Sequence, residues 1–291
     1  MKNAFSFVAS IIVSVLLVFC ILGVTGAGIA KGCATEKNFK SISEKYDLDD
    51  KVYSELEKYF HERSSSTGIP EDVYMKAIDT EYLNNIINQT IDDGFQRLNG
   101  SYSPIDLENK ELESSIDTFF NDYADSINYK KDEKFEKKLN STKNNAYNII
   151  REYCDVYKFD ALANHGVISK VSKIYTKIDL IMIGAASIML ILLVALIIIN
   201  IEAKSEAIYW SGVSALIAGI ISITPCAYLL ITNYFSSFSV KQAQIYTAYT
   251  ETMKMFTNNF IHANVVLAIC GIILIVIYGI VKPKMEKRVA A

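Results

Sequence analysis

Four long apolar stretches interrupt an otherwise polar chain. They cover residues 4–30, 180–201, 207–232 and 261–281, and none of them contains Asp, Glu, Lys or Arg. A helix rises about 1.5 Å per residue, so each stretch can cross a hydrocarbon core of about 30 Å. Because lipid cannot satisfy the hydrogen bonds of an open backbone, helix is the form that such stretches must take. The pattern predicts an integral membrane protein with four transmembrane helices.

The polar segment between the first two stretches, residues 31–178, has the size of an ordinary soluble domain. Its apolar residues recur at spacings of three and four, without sustained alternation of period two, which is typical of amphipathic helices. We expect an all-α bundle of four or five helices in this segment. One of these helices carries a stripe of six apolar residues: Leu112, Ile116, Phe119, Phe120, Tyr123 and Ile127.

The pattern as a whole divides the chain into seven segments. They are a first span that acts as an uncleaved signal anchor (1–30), a helical domain (31–178), three further spans (179–203, 207–232 and 261–281), an outer helical extension (233–260) and a basic tail (282–291). The first apolar stretch exceeds the roughly 7–15 residues of a signal-peptide core, which favours an anchor, although Gly28 and Ala30 could form a cleavage site. A lipidated Cys33 is disfavoured because Lys31 interrupts the apolar sequence that such a signal needs.

The distribution of Lys and Arg predicts the orientation. The tail after residue 281 carries four basic residues, and Lys2 and Lys204 fall on the same side in a four-span arrangement, whereas residues 233–260 hold only two. By the positive-inside rule, both termini are expected in the cytoplasm, and the helical domain is expected to be extracytoplasmic. Lysines near Lys31 oppose this orientation, but long domains translocate largely regardless of charge. The expected location is the plasma membrane, and the excess of Lys over Arg is typical of an AT-rich bacterial genome.

Small residues predict where the spans pack closely. In the third stretch they recur four positions apart at Ser211, Ala215 and Gly219. Gly23 and Ala27 in the first stretch could lie opposite them. Small side chains allow the backbones of two membrane helices to approach each other, so this face is expected to pack against a neighbouring span.

A stripe of large residues precedes the last span at steps of three and four: Tyr246, Tyr249, Met253, Phe256 and Phe260. The helical domain or a neighbouring subunit is expected to cover this outer aromatic stripe. The alternative is an interfacial helix that places its aromatic rings among the lipid headgroups. Residues 167–177 also have helical spacing, and we expect them to continue into the second span without a break.

Among the cysteines, Cys33 and Cys154 share the outer side in the expected topology. Cys33 follows the first span directly, whereas Cys154 precedes the second by about 26 residues, or nearly 40 Å of helix. A disulfide requires Cα atoms within about 7 Å, so we expect two thiols here.

The sequence carries no recognisable motif for catalysis. The histidines His61, His165 and His262 lie far apart, and there is no metal-binding, nucleotide-binding or phosphate-binding pattern. Asp92 and Asp93 indicate a solvated acidic surface. We therefore predict no catalytic residue, no cofactor and no metal site. Residues 31–178 hold 21 basic and 27 acidic side chains, which argues against a nucleic-acid partner.

Two function hypotheses follow from this organisation. The first is a membrane-anchored binding or scaffold module, or accessory subunit, with a protein partner on the extracytoplasmic side or within the bilayer. The second is an oligomeric pore or permease subunit. The order of one span, a large outer domain and three spans is similar to that of the FtsX and MacB class of transporter-like proteins, which work with a cytoplasmic ATPase. This resemblance concerns topology only and includes no motif. An enzyme is the weakest hypothesis.

Overall fold

The computed structural model describes residues 2–289, and for Lys2, Asn3, Lys204 and residues 284–289 it describes the backbone alone. Within residues 2–289 the chain forms twelve α-helices and two 3-10 helices and contains no β-strand, which confirms the expected all-α class. The α-helices are α1 (Lys2–Cys33), α2 (Glu36–Lys45), α3 (Leu48–Thr67), α4 (Asp72–Met75), α5 (Thr80–Leu98), α6 (Lys110–Ser126), α7 (Glu133–Cys154), α8 (Phe159–Asn164), α9 (Val167–Tyr175), α10 (Ile178–Ile199), α11 (Lys204–Ile231) and α12 (Ala243–Val289). The 3-10 helices are Ile201–Ala203 and Tyr234–Ser237.

The chain divides into two compact units. The span unit consists of the described residues of Met1–Ala34, Thr176–Ser237 and Met253–Ala291. The polar unit consists of Thr35–Tyr175 and Phe238–Thr252, so the beginning of α12 belongs to it.

The span unit contains the four helices that are long and apolar enough to cross a membrane. These segments are Ala4–Cys33, Ile178–Ile199, Ser205–Ile231 and Ala243–Pro283, and they confirm the four expected spans as helices of that length and composition. Helix α1 packs against both α10 and α11. Leu17, Ile21 and Leu196 form the centre of this contact and are almost fully buried.

Helix α5 is the central helix of the polar unit and packs against α2, α3, α7, α8 and α9. Its residues Leu83, Ile86, Ile87 and Ile91 are completely buried, as their helical spacing predicts. Burying a Leu or Ile side chain stabilises a fold by about 1.5–3 kcal/mol relative to its exposure, so this helix contributes much of the core. Helix α6 has fewer neighbours, and its major contacts are with α4 and α7.

Residues 35–175 of the polar unit form eight helices, α2 to α9, rather than the four or five expected in this segment. The additional elements include α4 with 4 residues and α8 with 6 residues, which are too short to show a periodic pattern. Side-chain caps fix several helix starts: Asp79 accepts from the Tyr82 N–H at 2.7 Å, and Asn109 accepts from the Leu112 N–H at 2.9 Å.

The expectation that residues 167–177 continue into the second span without a break is wrong, because a turn at residues 176–177 separates α9 from α10. Lys177 keeps near-helical dihedral angles, φ −102° and ψ −1°, so neither Gly nor Pro is needed for the interruption. Entry into the last span matches the expectation, because α12 is one continuous helix of 47 residues.

Candidate functional site

An exposed aromatic surface of the polar unit lies on α6 and on the turn that follows it. It consists of Phe119, Tyr123, Ile127 and Tyr129, which we call the α6 surface. The first three residues are four positions apart and therefore share one face of the helix. Tyr123, Ile127 and Tyr129 are exposed by 59%, 53% and 43%. The sequence pattern placed Tyr123 and Ile127 in the same stripe as Leu112 and Ile116. In the structure Leu112 and Ile116 are buried, whereas Tyr123 and Ile127 are exposed.

Ring packing organises the α6 surface. The rings of Phe119 and Tyr123 are stacked, with centroids 6.4 Å apart and planes 12° apart. Beneath them, Phe120 contacts the buried Phe135 of α7 edge to face, at 6.4 Å between centroids. The exposed rings therefore rest on a packed aromatic base, which limits their motion before any partner binds.

The turn after α6 is fixed by its own backbone. Asn128 adopts the left-handed conformation with φ 52°, which Asn tolerates better than most residues. The Tyr129 N–H donates to the Ala124 carbonyl at 2.8 Å. Lys131 pairs with Asp125 at 2.9 Å, and Asp132 caps α7 through the Phe135 N–H at 3.1 Å. These contacts hold Tyr129 beside the end of α6.

Polar contacts anchor α6 on both flanks of its buried line. Ser115 Oγ donates to the Val73 carbonyl of α4 at 2.6 Å, and Lys143 of α7 pairs with Asp117 at 2.7 Å. The Tyr147 hydroxyl of α7 donates to Glu113 at 3.0 Å. These bonds flank the buried Leu112 and Ile116 and hold the first half of α6 against α4 and α7.

A shallow groove of about 530 Å³ between α4 and α6 continues from the α6 surface and ends at Phe119. Its walls carry both signs of charge, including the ion pair of Lys76 with Asp72 at 2.7 Å. The hydrogen bond from Lys76 lowers the pKa of Asp72. Residues 122–138 around the exposed rings hold five acidic and five basic side chains, so the rim of the surface is close to neutral.

Several titratable side chains of the polar unit are buried and take part in its internal packing. Asp93, expected on a solvated surface, is only 2% exposed and pairs with Arg97 at 2.7 Å, so that expectation is wrong for this residue. Arg97 also reaches Asp160 at 2.9 Å. Burial raises the pKa of the Cys154 thiol, which disfavours its reactive thiolate form. In the part of the chain that the structure describes, no three His, Cys, Asp or Glu side chains converge as metal ligands.

Cys33 and Cys154 are both buried, and neither forms a disulfide in this structure. At the end of α1 and the start of α10, Lys31 pairs with Asp179.

The small residues proposed for helix packing occupy different environments. Gly219 faces α12, and a Cβ atom added there would lie 2.9 Å from both Ala268 Cβ and the Asn264 carbonyl oxygen. Ala215 is buried, and Ser211 Oγ donates to the Ala207 carbonyl of its own helix at 2.8 Å.

In α1, the proposed counterparts lie in more open surroundings. Gly23 is exposed, with no atom within 4 Å of an added Cβ, and Ala27 is half-buried. The close approach to α11 comes instead from α12, where a Cβ on Gly271 would lie 2.7 Å from the Gly212 carbonyl oxygen. The seven-residue spacing of Gly212 and Gly219 was the signal that could have located this contact.

Polar side chains also join the spans, and the sequence patterns missed them. Asn200, which directly follows α10, donates from Nδ2 to Ser10 Oγ at 2.9 Å. Ser214 Oγ donates to the Ser14 carbonyl at 3.1 Å. Ser10 and Ser14 lie four residues apart on one face of α1, which was the available signal for a hydrogen-bonding face.

The outer aromatic stripe is only partly covered. The Tyr249 hydroxyl donates to the Tyr157 carbonyl at 2.5 Å, and the Tyr157 hydroxyl lies 3.2 Å from Thr252 Oγ1. Burial raises the pKa of Tyr157 to about 12. Met253 remains 43% exposed, and Tyr246, Phe256 and Phe260 are half-buried. The buried residues of this part of α12 lie outside the stripe, and Gln244 and Ala248 are completely buried.

Comparison with known proteins yields no relative: no family model, no curated protein and no solved structure matches the chain.

Proposed function

We propose that the chain is a multi-pass plasma-membrane protein whose polar unit lies outside the cytoplasm and docks a protein partner through the α6 surface. In this role it is an anchored binding module or an accessory subunit of a membrane complex. The observation that carries the proposal is the exposure of Tyr123, Ile127 and Tyr129 beside the half-buried Phe119, on which Tyr123 stacks.

Membrane insertion is supported by the surfaces of the long helices. Ile183, Leu190, Ile191 and Ile198 of α10 are each exposed by more than half. A soluble protein rarely leaves so large an apolar surface to water, whereas lipid solvates it without cost.

Charged groups lie where the ends of such spans would be. Lys31 and Asp179 form an ion pair at the end of α1 and the start of α10. At the opposite end of the spans, Glu206 accepts from the Tyr278 hydroxyl at 2.9 Å and pairs with Lys282 at 3.1 Å. From Asp179 to residue 200 the chain would rise about 30 Å as a helix, which equals the thickness of a hydrocarbon core.

The excess of basic residues at the Glu206–Lys282 end favours a cytoplasmic location for that end. Because α1 crosses once before the polar unit begins, this orientation places the polar unit on the outer side.

A protein is the partner that best fits the α6 surface. Aromatic side chains in a rigid, exposed patch with a polar rim are typical of protein–protein interfaces. A polyanionic glycan, a nucleic acid or an acidic headgroup would instead select an excess of Lys and Arg, whereas acidic and basic residues balance over residues 122–138. The i, i+4, i+8 spacing of Phe119, Tyr123 and Ile127 further favours a helical or grooved surface on the partner.

Site-specific photocrosslinking in native membranes tests this proposal. A photoreactive residue at Tyr123 is expected to capture one defined protein, and the same residue at Asn140, on the exposed polar face of α7, is the matched control. The captured protein is then purified, and its affinity for the full chain is measured. Tyr123→Ser and Ile127→Asp are expected to weaken that affinity at least tenfold, while Asn140→Asp leaves it unchanged. Equal affinity for all three variants would refute docking at this surface.

A pore or permease subunit remains the alternative, and one observation favours it. Ser222 Oγ and Asn264 Oδ1 are buried in the span unit and have no hydrogen-bond partner among the described residues. Polar groups inside membrane helices often mark a pathway or a subunit contact. This alternative predicts a symmetric homo-oligomer in mild detergent and ion flux in liposomes, both reduced by Asn264→Leu.

A further inference from the structure

A lateral groove of about 400 Å³ lies between α1 and α11 in the span unit. Ile11, Val15 and Phe19 line one side, and Trp210, Ile217 and Ile221 line the other. We call this cavity the α1–α11 groove. The two helices run parallel, because Ser14 contacts Ser214 and Phe7 contacts Trp210.

The dimensions of the groove correspond to one leaflet. On α11 it extends from Trp210 to Ile221, which is eleven residues or about 16 Å of helix. A hydrocarbon core is about 30 Å thick, so the groove reaches from one boundary to about the middle. Phe19 is 66% exposed and Ile221 is 52% exposed, so the groove opens sideways towards the lipid-facing surface.

Trp210 marks the boundary end of the groove. Its ring contacts Phe7 at 5.6 Å and Tyr209 at 5.4 Å between centroids, and Tyr209 contacts Tyr278 at 5.0 Å. Next to these rings lies the pair of Glu206 with Lys282. Aromatic residues with a charged neighbour are typical of the headgroup level of a membrane protein.

The charge at this end favours one class of lipid. Residues 2–3, 200–206 and 282–289 together contain six Lys or Arg and three Glu. An excess of basic residues next to a span attracts anionic headgroups, each Lys or Arg by about 1 kcal/mol near the surface.

Ser14 gives the groove a polar contact point. Its side chain is 6% exposed and lines the groove, and its Oγ has no hydrogen-bond partner among the described residues. Ser14 lies at the level of Ser214, one helical turn deeper than Trp210. An ester carbonyl of a lipid whose chain enters the groove from the Trp210 end can accept a hydrogen bond from it at this depth.

We propose that the α1–α11 groove binds one acyl chain of an anionic phospholipid, whose headgroup lies at the Trp210 end. The bound lipid fills the space between α1 and α11 and satisfies the Ser14 hydroxyl. This inference rests on the membrane insertion proposed above but not on docking at the α6 surface.

The single tryptophan of the chain makes the groove directly observable, because intrinsic tryptophan fluorescence reports on Trp210 alone. The full chain is extracted with excess detergent and titrated with phospholipids that carry brominated acyl chains, which quench indole fluorescence on contact. Brominated phosphatidylglycerol is expected to quench in a saturable, stoichiometric manner. Brominated phosphatidylcholine is expected to need at least tenfold more lipid for the same quenching.

Variants separate the groove from general contact with lipid. Val15→Phe fills the groove and is expected to abolish saturable quenching, while Ile191→Phe on the exposed face of α10 leaves it unchanged. Ser14→Ala keeps the backbone carbonyl that Ser214 uses and is expected to weaken lipid affinity roughly threefold. If Val15→Phe fails to fold, Ser14→Ala still tests the site.

Two results would overturn the inference. One is quenching that rises in proportion to brominated lipid, is equal for both headgroups and is unaffected by Val15→Phe. The other is efficient disulfide formation between two copies through Phe19→Cys, which would show that a helix of a second copy occupies the groove. Neither result bears on partner binding at Tyr123, which is measured separately.

Discussion

Phe119 and Tyr123 stack on α6, and Ile127 continues the same line one turn further. The buried Leu112 and Ile116 lie on the same side of the helix, seven residues before Phe119 and Tyr123, so the line leaves the core in the C-terminal half of α6. Tyr123 and Ile127 are exposed by 59% and 53%, and their place at the surface is better explained by binding than by folding.

Stability measurements distinguish binding from folding at α6. Ile127→Asp is expected to change the free energy of unfolding by no more than about 0.5 kcal/mol, because Ile127 is 53% exposed. Ile116→Ala removes a side chain that is 1% exposed and is expected to cost about 2–5 kcal/mol. Thermal unfolding of the full chain in detergent compares the two. A large loss for Ile127→Asp would show that the α6 surface is structural.

Close packing of α11 on α12 is expected to be sensitive to a single side chain. A Cβ added at Gly271 would lie 2.6 Å from the Leu216 nitrogen, so Gly271→Val is expected to destabilise the span unit by about 1–3 kcal/mol. Gly279→Val is the matched control on the same helix, since no atom lies within 4 Å of a Cβ there. Similar melting temperatures for both variants would contradict the packing of these helices.

Gly94 in α5 makes room for the ring of Phe159. An added Cβ would lie 2.3 Å from Phe159 Cδ2. Alanine normally stabilises a helix by about 1 kcal/mol over glycine, but Gly94→Ala is expected to destabilise the polar unit by about 1–3 kcal/mol. A second change, Phe159→Leu, is expected to recover part of that loss. Additive losses in the double variant would show that the two residues do not interact.

Two carboxylates of the polar unit are expected to respond to pH in opposite directions. Burial raises the pKa of Asp155, although its oxygens accept from the N–H groups of Phe159 and Asp160 at 2.8 and 2.9 Å. The folded state therefore binds the proton more tightly than the unfolded state. The contribution of Asp155 to stability is greatest below its unfolded pKa and falls as pH rises through the raised value. Asp72 has a lowered pKa, so its contribution is present above the unfolded pKa and is lost on acidification.

Unfolding of the single variants between about pH 3 and 7 checks these signs. The stability of the native chain relative to Asp155→Asn is expected to increase as the pH falls, and relative to Asp72→Asn it is expected to decrease. If the stability of the native chain relative to both variants changes in the same direction with pH, the assigned directions of the two pKa shifts are contradicted.

The sequence predicted the spans well because membrane thickness sets their length and lipid excludes charge from them. It could not show where the apolar line of α6 leaves the core, since Leu112, Ile116, Tyr123 and Ile127 share one side of the helix and only the first two are buried. That point is set by distant partners, chiefly Lys143 on Asp117 and Phe135 on Phe120. Local periodicity contains no information about such contacts.

The same limit explains Asp93 and Gly271. From the sequence alone, Asp93 resembles a surface acid beside Asp92. In the structure Asp93 is buried and pairs with Arg97, which also pairs with the distant Asp160. Gly271 is one of two glycines in its apolar stretch, with Gly279, and only the crossing of α11 over α12 makes Gly271 critical. The importance of Gly271 for packing depends on which helices become neighbours. The spacing of residues along one helix cannot reveal that.

The side of the membrane that the polar unit faces can be tested with a thiol introduced at its surface. Cys154 cannot report the side of the membrane, because it is completely buried and its raised pKa disfavours the thiolate. Asn140 is exposed on α7, so Asn140→Cys is expected to react with a membrane-impermeant maleimide in intact cells. The native chain is the control, and it should label weakly under the same conditions. If Asn140→Cys reacts only after the cells are lysed, the polar unit faces the cytoplasm, and a partner at the α6 surface would have to be sought there.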